Sequence, residues 1–157
     1  MHSPSSPTSN TVPGVSELVP MVHVADVGRS LEFYAKLGFL ERHSLKGHDG
    51  VRFWAWADSM SPAAPEKVAS IMFARASGPV DPTVQAVLFY MYTNDLKALR
   101  SHLLASGLHD GGAFVGAPGP NNGLRVVFSI THPNYMPLGE MRVSDPDGYC
   151  ILIGQRG

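Results

Sequence analysis

Cysteine is nearly missing: Cys150 is the only one among 157 residues. No disulfide can form within the chain, and a lone thiol fits a reducing cytoplasm. Charge is scarce too. Twelve Lys and Arg stand against thirteen Asp and Glu, giving a net charge of -1 with only 16% of residues charged. Nucleic acid is therefore not expected as a partner, because phosphate binding needs a clustered excess of cations. No apolar run approaches the roughly 20 residues of a bilayer-spanning helix, so no membrane span is expected. Large apolar residues are also rare from Met1 to about Ser16, where Ser, Pro, Thr and Asn dominate. That stretch has neither the basic start nor the apolar centre of a secretory signal, and residues 1–16 are expected to form a disordered tail. No Gly-x-Ser-x-Gly elbow is present for a nucleophile. Gly111-Gly112 and Gly116-Ala117-Pro118-Gly119 do not open a helix, so they make poor phosphate cradles.

What is present is a strand–helix–glycine unit that occurs twice. Val19, Met21, Val22 and Val24 lead a strand over Leu18 to Val24. Asp26 follows as an N-cap, its carboxylate able to accept from the free amides of the first helical turn. Val27, Leu31, Tyr34 and Leu37 then recur at spacings of three and four, the stripe of an amphipathic helix. Gly38 supplies the stop. Three β-like runs come next, Phe39 to Ser44, Val51 to Ala57 and Val68 to Ala74. A turn at 47–50 separates the first two, and the Pro-rich stretch from Ser61 to Pro65 separates the others. After a linker at Ser77 to Pro82 the pattern restarts: a strand over Ala86 to Thr93, a cap at Asn94 or Asp95, Leu96, Leu99 and Leu103 on the helix, and Gly107 as the stop. Asp26 and Asp95 lie 69 positions apart. Later β-like runs fall near 112–116, 124–130, 139–143 and 150–154, with Asp145-Pro146-Asp147-Gly148 as a turn before the last. Gly111 to Pro137 reads as a long loop, either a closing element or a plain connection. The order is βαβββ twice, over modules at about 17–76 and 84–156, within a single domain at 17–157.

Val24-Ala25-Asp26 with Arg29-Ser30 and Phe33-Tyr34, then Lys36-Leu37-Gly38-Phe39, and the closing Gly139-Glu140 with Asp145-Pro146-Asp147-Gly148-Tyr149 resemble the vicinal oxygen chelate superfamily. That superfamily includes glyoxalases, extradiol dioxygenases, and fosfomycin- and bleomycin-resistance proteins. The resemblance covers roughly residues 18–155. It implies an α+β fold in which two βαβββ modules form a curled mixed sheet enclosing a cup, usually completed by dimerisation.

Metal-dependent members carry His, Gln or Glu ligands at matching points of both modules. By the family pattern those points fall here on Val19, on Leu88 or a neighbour, near Met72, and on Leu152. Val, Leu and Met side chains cannot hold a divalent ion of that kind, so no metal and no cofactor are expected. A displaced set of His23, His132 and Glu140 is imaginable, but no spacing links the three. The plainer account makes His23 a cavity residue and His132 a loop residue. The other histidines, His43 among them, need no special reading.

His23 alternates with Met21 on one strand face. Trp54 and Trp56 share a face, as do Tyr90 and Tyr92. If these faces turn inward, the cup is aromatic with hydroxyl tips, suited to a flat or amphipathic organic ligand. Otherwise one aromatic face packs beneath the helices. Glu140 and Arg142 also alternate onto one face, with Ser144 and Ile151 beside them, either as a polar group facing the cavity or as a solvated ion pair. Cys150 is expected to be an inert core residue. The expected ligand-binding residues are thus Met21, His23, Trp54, Trp56, Met72, Tyr90, Tyr92 and Arg142, with His23 and Glu140 as the only candidates for catalysis. Taken with the resemblance, which implies a homodimer, these residues point first to a cytoplasmic binding protein similar to the bleomycin-resistance type, holding a small organic ligand without metal. The alternative is an enzyme, a glyoxalase-like lyase or isomerase or a dioxygenase-like catalyst with an atypical site.

Overall fold

Each helix begins at an aspartate and ends just before a glycine. In a computed structural model, which describes residues 12–62, 64–85, 87–116 and 124–156, Asp26 accepts from the Arg29 amide at 3.0 Å and opens α1 (Val27–Ala35). Asp95 accepts from the Ala98 amide at 3.0 Å and opens α2 (Leu96–Ala105). Of the two caps considered for α2, the aspartate serves. Gly38 and Gly107 follow with φ of 96° and 99°, a region open to glycine at little cost. A Cβ at Gly38 would also sit 2.9 Å from the Ser59 hydroxyl. Gly38→Ala is accordingly expected to cost about 1–2 kcal/mol, measurable by urea denaturation.

The first module is a four-stranded sheet in the order β1 (Met21–Val24), β4 (Ala64–Arg75), β3 (Arg52–Ser61), β2 (Leu40–Lys46). β1 runs parallel to β4, and the other pairs are antiparallel. The second sheet has five strands in the order β5 (Phe89–Thr93), β9 (Cys150–Gln155), β8 (Glu140–Ser144), β7 (Val126–Val127), β6 (His109–Asp110). It repeats the plan, with β5 parallel to β9 and β9 antiparallel to β8.

One core serves both modules. Val22, Val24, Ala55, Ala57, Ile71 and Phe73 from the first sheet join Met141, Val143, Ile151 and Ile153 from the second. Phe33 and Tyr34 of α1 and Leu96 and Leu103 of α2 are fully or almost fully buried among them. The closing turn locks the modules together. Tyr34 donates its hydroxyl to Asp145 at 2.9 Å, Arg29 pairs with Asp147 at 3.1 Å, and the Tyr149 hydroxyl donates to the His23 carbonyl at 2.7 Å.

Several boundaries depart from expectation. The opening strands begin later, at Met21 and Phe89. The Pro-rich stretch holds the turn between β3 and β4, but both strands reach into it and pair at Ser61 and Ala64. That end of the hairpin carries exposed Met60 and Val68 and lies beyond the core, so burial leaves no alternating signature there. No strand forms at 112–116, and a two-residue strand at His109–Asp110 stands in its place. Gly112 and Gly116 have φ of 63° and 132°, values a strand does not use. Tail residues 1–11 and loop residues 117–123 lie outside the described residues, while 12–16 are exposed without helix or strand. No described helix is long and apolar enough to cross a membrane.

Candidate functional site

Strand alternation sends Ala55 and Ala57 into the core and Trp54, Trp56 and Asp58 to the opposite face. Register carries that face across the sheet. Trp54 lies opposite Ala74 and Leu45, Trp56 opposite Met72 and His43, and Asp58 opposite Ser70. Met72 in turn neighbours Met21, and Ala74 neighbours His23. The indoles are fixed by their surroundings. Trp56 donates Nε1 to Asp58 at 2.7 Å and lies beneath the Arg42 guanidinium, 5.4 Å from its centroid. His43 meets Trp54 edge-on at 5.5 Å. Asp58 also accepts from Ser70 at 2.6 Å and from Arg42 at 3.1 Å. Partial burial works to raise its carboxyl, but these donors outweigh it and hold the group below the usual range. A cavity of about 770 Å³ opens beside Trp54, lined also by His43, Leu45, Phe53 and Arg75. A smaller one of about 190 Å³ lies among Arg42, His43, Trp54 and Trp56.

The second sheet presents the equivalent face with other chemistry. Tyr90 lies opposite Leu152, Leu152 opposite Arg142, and Glu140 opposite Gly154. Glu140 is 4% exposed. Its two oxygens accept from separate phenols, Oε2 from Tyr90 and Oε1 from Tyr135 at 2.9 Å. Burial, then the bond to Glu140, pushes the Tyr90 hydroxyl up, while for Tyr135 the bond to Glu140 is the larger cause. Arg142 stacks on Phe114 at 4.2 Å, Phe114 meets Phe128 edge-on at 5.2 Å, and Arg156 covers Tyr92 at 3.9 Å. Gly154 lets Met136 close over this face, since a Cβ there would fall 2.9 Å from the Met136 methyl.

The chain is similar in fold to solved structures of low sequence identity. A bleomycin-binding protein from Streptomyces verticillus, complexed with copper(II)-bleomycin, is similar at a TM-score of 0.61 with 16% identity over 93% of this chain and 100% of that one. The antibiotic-binding protein TnmS3 from Streptomyces sp. CB03234 gives 0.57 with 19% identity over 91% and 98%. A glyoxalase-related enzyme from Clostridium phytofermentans gives 0.65 with 10% identity over 94% and 100%. This is the glyoxalase/bleomycin-resistance fold. No family model and no curated protein matches the chain.

The points that the family resemblance marks for metal ligands carry apolar side chains here, Val19, Leu88, Met72 and Leu152. The non-core face carries Met21 beside Met72 in one module and Tyr90 beside Leu152 in the other, a set without imidazole or carboxylate. Val19 precedes β1 and Leu88 precedes β5, both apolar. Among the described residues no three His, Cys, Asp or Glu side chains converge as a metal group, so the His23, His132 and Glu140 set is not assembled.

The expected ligand residues divide between the two faces. Met21, His23, Trp54, Trp56 and Met72 belong to the first, and Tyr90, Tyr92 and Arg142 to the second. None of the four indole and phenol side chains belongs to the buried core cluster. Three expectations fail. Glu140 and Arg142 form no ion pair, because two tyrosines hold the carboxylate and an aromatic ring holds the guanidinium. Ile151 is in the core, opposite Val143, and Cys150 takes its place beside Ser144. Cys150 is therefore only half-buried, with its thiol pushed up by burial against the opposing influence of Arg142. His43 proves to line both cavities. Sequence reasoning also missed Arg42, Asp58, Phe114, Tyr135 and Arg156. Alternation along 52–58 would have placed Asp58 beside the indoles, whereas Tyr135 and Phe114 arrive from loops that have no period.

Proposed function

We propose that the protein is a single domain over residues 17–157 that binds a small, partly aromatic organic molecule on these two faces. It holds that molecule without metal or other cofactor, as a cytoplasmic homodimer in which a second copy covers faces left open in one chain. The supporting observation is the first face, where Trp54 and His43 border a cavity of about 770 Å³ and, together with Trp56, a smaller one of about 190 Å³, although a complete apolar core already lies behind the sheet. The Trp56 indole, held by a hydrogen bond and a cation, loses little freedom on binding a flat ligand. Met21, His23, Trp54, Trp56, Met72, Tyr90, Tyr92 and Arg142 are the contact residues of this reading. The solved relatives whose names record bleomycin or antibiotic binding favour it at the level of fold.

The alternative of a glyoxalase-like lyase or isomerase, or a dioxygenase-like enzyme, would use Glu140 or His23 for proton transfer. Both Glu140 oxygens are already engaged by phenols, which favours a fixed structural carboxylate over a base. Fluorescence tests the binding reading, because the only two tryptophans stand on the proposed surface. A bound aromatic compound is expected to quench or shift their emission. Trp54→Leu is expected to weaken that compound about tenfold, one lost aromatic contact of roughly 1.4 kcal/mol. Its melting temperature should stay near that of the parent, the indole being partly exposed. Near-stoichiometric divalent metal in the purified protein, or affinity unchanged in Trp54→Leu, would overturn this reading. Sedimentation analysis reads the homodimer.

A further inference from the structure

We infer that the ligand is a planar aromatic anion, a ring bearing a carboxylate or comparable acidic group, seated on Trp54 and Trp56 with its charge met by the arginines that line the two cavities, Arg42 and Arg75. This deepens the binding reading above and rests on it.

The two cavities share Trp54 and His43, and their basic lining consists of Arg42 and Arg75. No aspartate or glutamate is among their lining residues. The nearest acid on that face, Asp58, already receives Trp56 Nε1, the Ser70 hydroxyl and Arg42. Arg42 spends one terminal nitrogen on Asp58 and remains 64% exposed. Arg75 reaches Asp49 only at 3.9 Å, with both side chains about half-exposed, a pairing worth little in water. Both guanidiniums therefore keep donors for an incoming anion, and a planar fork matches a carboxylate well.

The second sheet repeats the theme. Arg142 stacks on Phe114 and Arg156 on Tyr92, and neither forms an ion pair among the described residues. Its one buried carboxylate, Glu140, is occupied by two phenols. All three cation–ring contacts among the described residues thus lie on the faces turned away from the core. A cationic ligand would meet guanidiniums with no free carboxylate to receive it, whereas an anionic ring finds both stacking and charge.

Isothermal titration calorimetry with three probes of one shape tests this: 2-naphthoate, 2-naphthalenemethanol and 2-naphthylmethylammonium. The naphthoate is expected to bind at least tenfold tighter than the alcohol, and the ammonium weaker than both. Added salt should weaken the naphthoate selectively. In the double variant Arg42→Met/Arg75→Met the preference for naphthoate over the alcohol should fall to within about twofold, whatever the two absolute affinities become. An ammonium or alcohol that binds as tightly as the naphthoate would overturn the charge assignment while leaving the aromatic binding surface standing. A preference for naphthoate that survives in the double variant would also overturn the assignment to these two arginines. If none of the three probes gives heat or alters tryptophan emission, the binding reading itself fails, and this inference with it.

Discussion

Replacing Asp145 with alanine is expected to cost about 4 kcal/mol of folding stability and to lower the melting temperature by roughly 10 °C. Asp145 is fully buried. Its carboxylate accepts from the Tyr34 hydroxyl and from the Asp147 and Tyr149 amides, each at 2.9 Å. Alanine would remove the acceptor and strand three donors, one of them the hydroxyl of a fully buried tyrosine. Each stranded donor costs about 1–3 kcal/mol. Tyr34→Phe should cost less, about 1–1.5 kcal/mol, because Asp145 then keeps both amide donors. Asp147 is a weaker target despite its ion pair, since its Oδ2 already lacks a hydrogen-bond partner among the described residues. Urea denaturation of Asp145→Ala, Tyr34→Phe and the double variant would measure the coupling. Strictly additive losses would mean that the Tyr34–Asp145 bond does not hold the modules together.

Much of this architecture was legible because local chemistry and global topology agree in it. Asp26, Asp95, Gly38 and Gly107 announce the helices, and both helix stripes find the core. The turn at 145–148 was legible as a turn, with Gly148 at a φ of 88°. Its second task, receiving Arg29 and Tyr34 across the module boundary, was not. A hydrogen bond between positions 111 apart leaves no period in the sequence. The face carrying Trp54 and Trp56 could be read from alternation, but the occupation of Glu140 by Tyr135 could not, because Tyr135 comes from the irregular segment before β8. The bulge between Glu41 and His43 likewise breaks the alternation that would have set Arg42 and His43 against the indoles.

Register exposes how two copies of one plan have come to differ. The caps and the parallel pairs put Met21 and Met72 in the positions of Tyr90 and Leu152. Trp54 then corresponds to Glu140, Trp56 to Arg142, and Asp58 to Ser144. One sheet offers an aromatic floor at the points where the other offers a carboxylate and a guanidinium. The core-facing positions stay apolar in both, Ala55 and Ala57 matching Met141 and Val143. Divergence is therefore concentrated on the surfaces that the core does not need.

The same closing turn that joins the modules should make the fold more stable at pH 5 than at pH 7.5. Burial is the largest influence on Asp145 and raises its carboxyl to about 6, despite the hydrogen bonds from Tyr34 and the two amides. Asp147 is raised as well, again first by burial. In the unfolded chain both return to about 3.9. A carboxyl raised by folding favours the protonated native state. Its contribution is complete below the unfolded value and is lost as pH rises through the folded one. For Asp145 that window runs from about pH 4 to 6, and a rise of that size corresponds to roughly 3 kcal/mol. Carboxyls lowered by folding, such as Glu41 beside Arg52 and Asp58 beside its donors, lose their contribution only as pH falls below the ordinary carboxylate range. Stability should therefore peak near pH 4–5. Asp145→Asn should flatten the decline between pH 5 and 7.5 by more than half, leaving the smaller share due to Asp147. A urea midpoint that instead climbs from pH 5 to 7.5 would mean that the donors around Asp145 outweigh its burial and that its carboxyl is ionised in the fold throughout.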